Sequence, residues 1–466
     1  MDRGDRMTDT STRPLTLHSP EGRLIWPGDA GYDEARRVFN AMVDRHPALV
    51  VRCADSQDVV QGLAYARATG AEVTVYGGGH AVTGSAVADG AVCLDLRGMK
   101  GIEIDPVARV ARVETGCTWG EFDAAAQEHG LGVTGGRVPS TGVAGLALGS
   151  GSGWLERSLG YTCDNLLEAE LVTADGRVVT ASPEVNAELF WGLRGGGGNF
   201  GVVTRMTFRL HPVGPLLLGG MLLYPATQAL EVLRSWTSFM ETAPDEVGGA
   251  AAFITAPPAD FVPPELRGRP VLGVIVVHHG DVEQGRERLA PLLAFGPPAV
   301  TLVQPMPYVA LQQLIAAGNP HGMRNYWSAD FYSDLPDEAL QTLCAQATPP
   351  VSPLTQVICV RAGGAIARVP EDATAFGNRG AKYNVHYLSM WAEPTEDDRN
   401  VDWTRATLAA MKPWSTGGVY LNFIGDEGRA RVRSAFTTAK WERLQALKRV
   451  WDPDNLFRHN QNIPPA

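Results

Sequence analysis

Tyr76-Gly77-Gly78-Gly79-His80 is the stretch that decides the fold of this chain, and it directly follows a β-prone run at residues 71–75. Glycines after a strand let the backbone turn sharply and bring its N–H groups close to an anion such as a pyrophosphate. The histidine that ends the run lies beside whatever the loop holds. From the residues alone it is a structural residue, a base or a covalent attachment point.

Three more stretches accompany this loop. Residues 132–153 and 194–204 are glycine-rich, and apolar residues interleave with the glycines of the first as in a packed turn. The tail, residues 452–463, ends in three consecutive amides, Asn460 to Asn462, which favours specific hydrogen bonding. Neither a G-x-G-x-x-G motif after a first strand nor a P-loop is present in a working context. Separate glycine loops suit a long, extended dinucleotide.

Composition limits the class of protein. A chain of 466 residues predicts two domains, and its hydrophobic content of 44% is typical of a globular protein. The formal net charge of -11 argues against nucleic acid or an anionic membrane as the main partner. No run of 18 or more apolar residues occurs, so we expect no membrane span. Residues 1–18 contain no apolar segment, so we expect no signal peptide and a cytoplasmic protein. The six cysteines are expected to be free thiols, and no metal-site spacing occurs.

Hydrophobic periodicity predicts an α+β chain. A helix is expected at residues 32–45, then a strand-helix-strand unit at 50–53, 57–69 and 73–76. A hairpin is predicted at residues 167–180, with its turn at Asp175-Gly176. Residues 216–412 alternate between β runs and helices, which predicts an antiparallel sheet covered by helices. One long amphipathic helix is expected at residues 429–450.

These motifs together resemble the flavoprotein family of vanillyl-alcohol oxidase and p-cresol methylhydroxylase, in its berberine-bridge-enzyme-like branch. The markers are GGGH at 77–80, P-x-T-G-x-x-G at 139–145, C-D-N at 163–165, A-D-G at 174–176, F-W-x-x-R-G-G-G-G-N-F-G-V-V-T at 190–204, Y-x-N at 420–422 and the tail. The resemblance covers nearly the whole chain. Within the branch, the chain looks similar to bacterial oxidases of secondary metabolism and antibiotic biosynthesis, such as the enterocin-pathway flavoenzyme.

The resemblance implies a two-part FAD-binding domain of the p-cresol methylhydroxylase type, at residues 1–214 and 413–466, with a substrate domain inserted at 215–412. It implies a covalent bond from His80 to the flavin. Some relatives have a second, cysteinyl link at the position of Val138 here, so a single link is expected. The implied FAD-binding residues are Tyr76, Gly77, Gly78, Gly79, His80, Ala81, Gly84, Val138, Pro139, Ser140, Thr141, Gly142, Gly145, Gly149, Gly153, Val202, Val203, Asn460 and Asn462.

Thr141 matches a position that controls access of O2 to the flavin in relatives, and its small side chain favours reaction with oxygen. The carboxylate base that some relatives carry on the strand matching residues 354–362 is absent here. A general base must lie within hydrogen-bond reach of the proton that it takes. The remaining candidates are Tyr420 and His386 first, and then Tyr326, Tyr332, Arg361 and Tyr387.

The leading hypothesis is therefore an FAD-dependent oxidase that takes a hydride from a small-molecule substrate and is reoxidised by O2. Aromatic residues of the predicted sheet favour a mid-sized, partly apolar substrate: Phe253, Tyr326, Trp327, Phe331 and Trp391. One alternative is a flavin monooxygenase that inserts oxygen into its product. Another is a non-catalytic flavin scaffold that binds a drug and confers resistance. The sequence carries no signature of an oligomer interface.

Overall fold

The structure is a computed structural model that describes residues 16–18 and 22–466. Most of the polar N-terminal stretch at residues 1–18 therefore lies outside the described residues. Within the described part of the chain, no helix is long and apolar enough to cross a membrane. The cytoplasmic location stays a prediction.

A four-stranded sheet carries the first glycine loop at one of its strand ends. Its strands, in spatial order, are Arg23–Ile25, Leu49–Arg52, Val92–Asp95 and Val73–Tyr76, and the last three are parallel. Helix Ser56–Thr69 connects two of the parallel strands. It begins where the Asp55 side chain accepts a hydrogen bond from the N–H of Asp58 at 2.8 Å, and it ends at Gly70, whose φ is 69°. The predicted strand-helix-strand unit is confirmed to within one residue.

A second, antiparallel sheet continues this part of the molecule. Its strands, in spatial order, are Ile102–Asp105, Val110–Glu114, Val202–Arg209, Leu166–Val172 and Val178–Ala181. The last two form the predicted hairpin. A small ladder pairs Leu131–Gly132 with His211–Pro212. The helices of this part are Trp119–Gln127, Val143–Leu148, Glu156–Leu159 and Ala187–Leu193.

The largest sheet is antiparallel and has nine strands. In spatial order they are Val300–Thr301, Leu217–Pro225, Pro270–His278, Val247–Thr255, Gln356–Arg361, Tyr383–Trp391, Arg324–Tyr332 and Ser415–Val419, with Gln304–Met306 also paired to the second of these. Strand Ser415–Val419 lies beyond the predicted domain boundary at residue 412, and the division into domains stays a prediction. The α+β fold class is confirmed.

Helices cover one face of this sheet, as the sequence predicted. They are Ala229–Thr242, Val282–Leu293, Asp337–Ala347 and Asp397–Met411. The core between helices and sheet includes Trp236, Tyr383 and Tyr387, which are at most 1% exposed. Burying a large apolar side chain contributes about 1.5–3 kcal/mol to folding. Because strand residues alternate, the opposite face carries a separate cluster with Trp327 and Leu388.

Two helix predictions were wrong. Residues 32–45 contain only the short helix Tyr32–Ala35. After it, the backbone N–H groups of Phe39 and Ala41 donate to the distant carbonyl oxygens of Gly79 and Met323 in place of helical hydrogen bonds, and the Asn40 side chain bonds to the backbone of Val82 and Asn325. Residues 429–450 form two helices, Arg429–Arg433 and Thr438–Trp451. The second begins anew because the Thr437 hydroxyl caps it by accepting from the N–H of Lys440. Smaller helices are Tyr308–Gln312 and Ala365–Arg368.

Candidate active site

A long cavity lies between the glycine loops and the face of the nine-stranded sheet that helices leave uncovered. Its empty volume is about 1910 Å³, open mouth included. The cavity extends from the glycine loops to the large sheet, so a long ligand that fills it contacts both. One end is formed by Val73, Val75, Val202, Val203 and Phe457, and the other by Trp327, Ile358, His386, Leu388 and Phe423.

Two glycine loops form the middle of the cavity and touch backbone to backbone. A Cβ atom on Gly78 would lie 2.3 Å from the nitrogen of Gly142, and one on Gly142 would lie 2.5 Å from the nitrogen of Gly78. Both residues line the cavity. Neither position accepts a side chain without a shift of the opposite loop, so these glycines bring two stretches of backbone to one ligand-facing wall.

His80 lies in this wall with its ring held on two sides. It stacks on Phe39 with ring centroids 4.1 Å apart, and His321 meets it edge-on at 5.5 Å. Its Nε2 atom is 3.1 Å from the hydroxyl oxygen of Ser140. Burial, reinforced by repulsion from His321, lowers the pKa of His80 to about 3. The imidazole is therefore neutral at physiological pH and keeps a nitrogen lone pair available.

His386 lies in the cavity wall at the end formed by Trp327 and Phe423, and it is 1% exposed. Its ring stacks on Phe423 at 4.3 Å. Among the described residues, none provides a hydrogen-bond partner for its Nε2 atom. Burial, with the nearby positive charge of Arg137, lowers the pKa of His386 well below its usual value. A neutral ring with an unpaired nitrogen in a ligand cavity fits the requirements of a proton acceptor.

Tyr420, the other leading candidate for a base, does not line the cavity. It is buried behind the wall, where its hydroxyl oxygen accepts hydrogen bonds from the N–H of Ser152 at 2.7 Å and from the Asn422 amide at 3.3 Å. Burial raises the pKa of Tyr420 to about 12. The hydroxyl stays protonated at neutral pH and supports two residues that do line the cavity.

Tyr326 and three further candidates also lie away from the cavity. The Tyr326 hydroxyl accepts a hydrogen bond from the exposed Arg405 at 3.4 Å, on the sheet face opposite Trp327. Tyr332 and Tyr387 bond to each other through their hydroxyl groups at 2.6 Å in the core beneath the helices. Arg361 pairs with Glu241. Of the aromatic residues predicted to shape a substrate site, only Trp327 lines the cavity.

Most of the predicted cofactor-binding residues do line the cavity. They are Gly77, Gly78, Gly79, His80, Ala81, Val138, Thr141, Gly142, Gly145, Gly149, Val202, Val203 and Asn460. Six others serve the structure around it: Tyr76, Gly84, Pro139, Ser140, Gly153 and Asn462. For example, Gly153 packs so closely that its Cβ would lie 2.1 Å from the carbonyl oxygen of Gly135.

A buried charged group that the sequence patterns did not predict lies beside His386. Arg137 and Ser152 line the cavity, and Glu156 lies directly behind them. The Glu156 carboxylate accepts hydrogen bonds from the Ser152 hydroxyl, the N–H of Gly153 and Arg137. Burial raises the pKa of Glu156, and the positive charge of Arg137 opposes this rise. Only the alternation of glycines with Arg137 and Ser152 in a ligand-facing loop could have pointed to them. All six cysteines are free, and Val138, which offers no thiol, lines the cavity.

Comparison with known proteins gives the class of molecule. Residues 47–182 match the family model of the FAD binding domain, and residues 419–464 match the model described as berberine and berberine like. An FAD-linked oxidoreductase of Dictyostelium discoideum is 30% identical over 96% of this chain and 95% of its own length. The (R)-6-hydroxynicotine oxidase of Paenarthrobacter nicotinovorans is 30% identical over 98% of this chain and 99% of its own.

The solved structures agree. The crystal structure of 6-hydroxy-D-nicotine oxidase from Arthrobacter nicotinovorans superimposes with a TM-score of 0.85 and 27% identity, over 97% of this chain and 99% of that one. The chain thus belongs to the family of FAD-linked oxidoreductases with a berberine-like C-terminal segment. It is an enzyme, which disfavours the non-catalytic scaffold. The narrower resemblance to the enterocin-pathway enzyme stays a prediction.

The cavity fits FAD by its own geometry. The two glycine loops present backbone along its middle, as a pyrophosphate requires. Positions Gly145 and Gly198, which also line it, have open space where a side chain would begin. The Asn460 amide donates to the carbonyl oxygen of Gly198 at 3.0 Å, while its own carbonyl oxygen has no partner among the described residues. A buried acceptor without a donor is costly, and a ligand N–H or O–H would satisfy it.

Proposed function

We propose that this enzyme is an oxidase that converts an alcohol or amine to the corresponding carbonyl compound or imine. The observation that carries the proposal is the neutral His386 ring, which lines an otherwise largely apolar end of the cavity and whose buried Nε2 atom has no partner among the described residues. FAD, when bound, supplies the acceptor for a hydride from the substrate carbon, and O2 then takes up the two electrons and two protons as hydrogen peroxide.

His386 has the chemistry to take the other hydrogen. As the C–H bond loses its hydride, the neighbouring O–H or N–H must lose a proton, and Nε2 has a free lone pair to accept it. Phe423 fixes the plane of the imidazole by stacking. Trp327, Ile358 and Leu388 keep water from the same end of the cavity and favour a mid-sized, partly apolar substrate.

His80 is proposed as the single covalent attachment point for FAD. Its pKa of about 3 keeps the imidazole in the neutral, nucleophilic form. Phe39 and Ser140 hold the ring in one orientation. Val138 offers no thiol for a second link.

Acid precipitation of the purified enzyme tests this attachment. We expect the yellow colour to stay in the pellet of the natural enzyme and to move to the supernatant in His80→Ala. A colourless natural pellet, or a yellow pellet in the variant, would contradict the histidyl link.

Oxygen consumption tests the oxidase activity itself. We expect one or more alcohols or amines from a panel of sugars, alkaloids and polyketides to drive uptake of O2 with an equal amount of peroxide. Isotopically labelled O2 separates the alternative, because a monooxygenase leaves label in the organic product and an oxidase leaves it only in peroxide. Absence of oxygen uptake with every member of a broad panel would count against the proposal.

A further inference from the structure

Arg137 is a buried cation in the cavity wall with an incomplete set of partners. Its side chain is 7% exposed and its guanidinium lies over the ring of Trp154, at 4.8 Å. The Nη2 group donates to the carbonyl oxygen of Gly153 at 3.4 Å and to Glu156 at 3.3 Å. For the Nε–H, the described residues provide no acceptor. Both donated bonds are long for charge-assisted ones, which are typically about 2.7–2.9 Å.

The Glu156 carboxylate that pairs with Arg137 also accepts from two neutral donors. The same oxygen atom, Oε2, accepts from the N–H of Gly153 at 2.9 Å and from the Ser152 hydroxyl. A guanidinium withdrawn from water needs paired, well-aligned acceptors to offset its lost hydration. Among the described residues, both acceptors of the Arg137 guanidinium bond to its Nη2 group, so the Nη1 group of this cavity-lining residue is left for a molecule in the cavity.

The place of Arg137 relates it to substrate. It lines the cavity together with His386, whose Nε2 also lacks a partner among the described residues. The two side chains are near enough for the arginine charge to lower the pKa of the imidazole. A donor with a positive charge and a neutral acceptor thus lie at the same end of a cavity with otherwise largely apolar walls.

We propose that Arg137 determines substrate specificity by binding an anionic oxygen of the substrate, supplied by a carboxylate or by an ionised phenol. This rests on the proposed function, since it assumes that the His386 end of the cavity holds the substrate. The anionic oxygen takes up the unused donors of the guanidinium, and the group to be oxidised is left to His386. Glu156 and Trp154 position the arginine and do not touch the substrate.

Binding to the holoenzyme tests the proposal without requiring turnover. The probes are benzoate with its neutral analogue benzamide, and 4-nitrophenolate with its neutral analogue 4-nitroanisole, titrated calorimetrically. We expect at least one anion to bind tenfold or more tightly than its neutral analogue. A preference for benzoate alone identifies a carboxylate, and one for 4-nitrophenolate alone identifies a phenolate. If neither anion is preferred, the proposal is overturned.

Variants assign the preference to Arg137. Arg137→Gln is expected to reduce it to threefold or less, whereas Arg405→Gln, an exposed arginine away from the cavity, is expected to keep it. Glu156→Gln removes the opposing charge, so we expect the preference for the anion to rise threefold or more. A merely structural role for Arg137 predicts that Arg137→Gln weakens the binding of charged and neutral probes equally. Persistence of the full preference in Arg137→Gln would overturn the assignment.

Two readouts keep the result independent of folding and of the oxidase proposal. Flavin content and the melting temperature show whether each variant is folded. If Arg137→Gln does not fold, the anion preferences of Arg137→Lys and Glu156→Gln test the proposal instead. Arg137→Lys keeps the charge, so we expect it to retain at least part of the preference. A normal anion preference without oxygen uptake would refute the oxidase proposal and support the anion site. Oxygen uptake without an anion preference would refute the anion site and support the oxidase proposal.

Discussion

The imidazole of His386 lies parallel to the ring of Phe423, with centroids 4.3 Å apart and planes 17° apart, and its Nε2 atom has no partner among the described residues. A titratable group held this way has one orientation and one free nitrogen. We expect His386→Gln to lower kcat/KM by about 10²–10⁴-fold, the usual contribution of a positioned base. Oxygen uptake with the best substrate measures this. His129→Gln changes an exposed histidine away from the cavity as a control, and a loss below threefold in His386→Gln would rule out the base.

The pH dependence follows from the same residue. Burial and Arg137 lower the pKa of His386 well below 6.5, so the ring is already deprotonated at neutral pH. We therefore expect no loss of kcat/KM from histidine protonation as the pH falls from about 8 to about 6. A titration with its midpoint near pH 6.5 in the pH profile of kcat/KM, absent from His386→Gln, would contradict this.

Tyr420 is expected to act on stability more than on the reaction. Tyr420→Phe leaves the N–H of Ser152 and the Asn422 amide without their acceptor, and an unsatisfied buried donor costs about 1–3 kcal/mol. Urea unfolding measures the loss. We expect kcat/KM to fall less than tenfold. A fall comparable to that of His386→Gln, with stability unchanged, would restore Tyr420 as a catalytic residue.

The C-terminal tail depends on one buried ion pair. Lys448 and Asp452 are fully buried, 2.6 Å apart, and the lysine also donates to the carbonyl oxygens of Asn199 and Phe457. We expect Asp452→Asn to lower the free energy of unfolding by about 3–5 kcal/mol, because it leaves a buried charge uncompensated. Glu188→Gln breaks the exposed pair with Arg443 and should cost at most about 1 kcal/mol. Equal losses in urea unfolding would contradict this.

Asp123 is expected to make the enzyme less stable at high pH. Burial raises its pKa to about 7, although the hydrogen bond from Gln312 opposes this shift. Since the folded carboxyl holds its proton more tightly than the unfolded one, stability falls as pH rises from about 4 to about 7. Asp123→Asn removes this penalty, so we expect it to raise the free energy of unfolding by up to about 4 kcal/mol at pH 8 and to leave it unchanged near pH 4. Melting temperatures at both pH values test this, and no stabilisation at pH 8 would contradict it.

Local sequence patterns predicted most of the helices and strands, because at those places the local pattern and the tertiary structure favour the same element. Helix Ser56–Thr69 has a capping aspartate and a terminal glycine, and the strands of the large sheet have continuous apolar runs. Residues 32–45 have the same apolar spacing as a helix, but the side chain of Asn40 pairs with Asn325, far away in sequence. No local pattern contains that information.

The candidate site was likewise predicted only in part from the sequence. The glycine loops and His80 were predictable because their chemistry is local. The side chains at the His386 end come together only across paired strands, where Ile358 faces His386 and Trp327 faces Leu388. Alternation indicates that Tyr326 and Trp327 point to opposite sides of the strand, but which side meets the cavity depends on how the sheet packs. Arg137 lies in a loop and Glu156 begins a helix, and their pairing across 19 residues is not a local pattern either.

Gly78 and Gly142, described above as meeting backbone to backbone, place an unusual limit on how this enzyme can change. In most close contacts, an enlarged residue is tolerated once its neighbour becomes smaller. Here both neighbours are already the smallest residue there is, so neither can compensate for the other. Any lineage that keeps this cavity must keep both glycines, and a substitution at either one has no second-site suppressor at its partner.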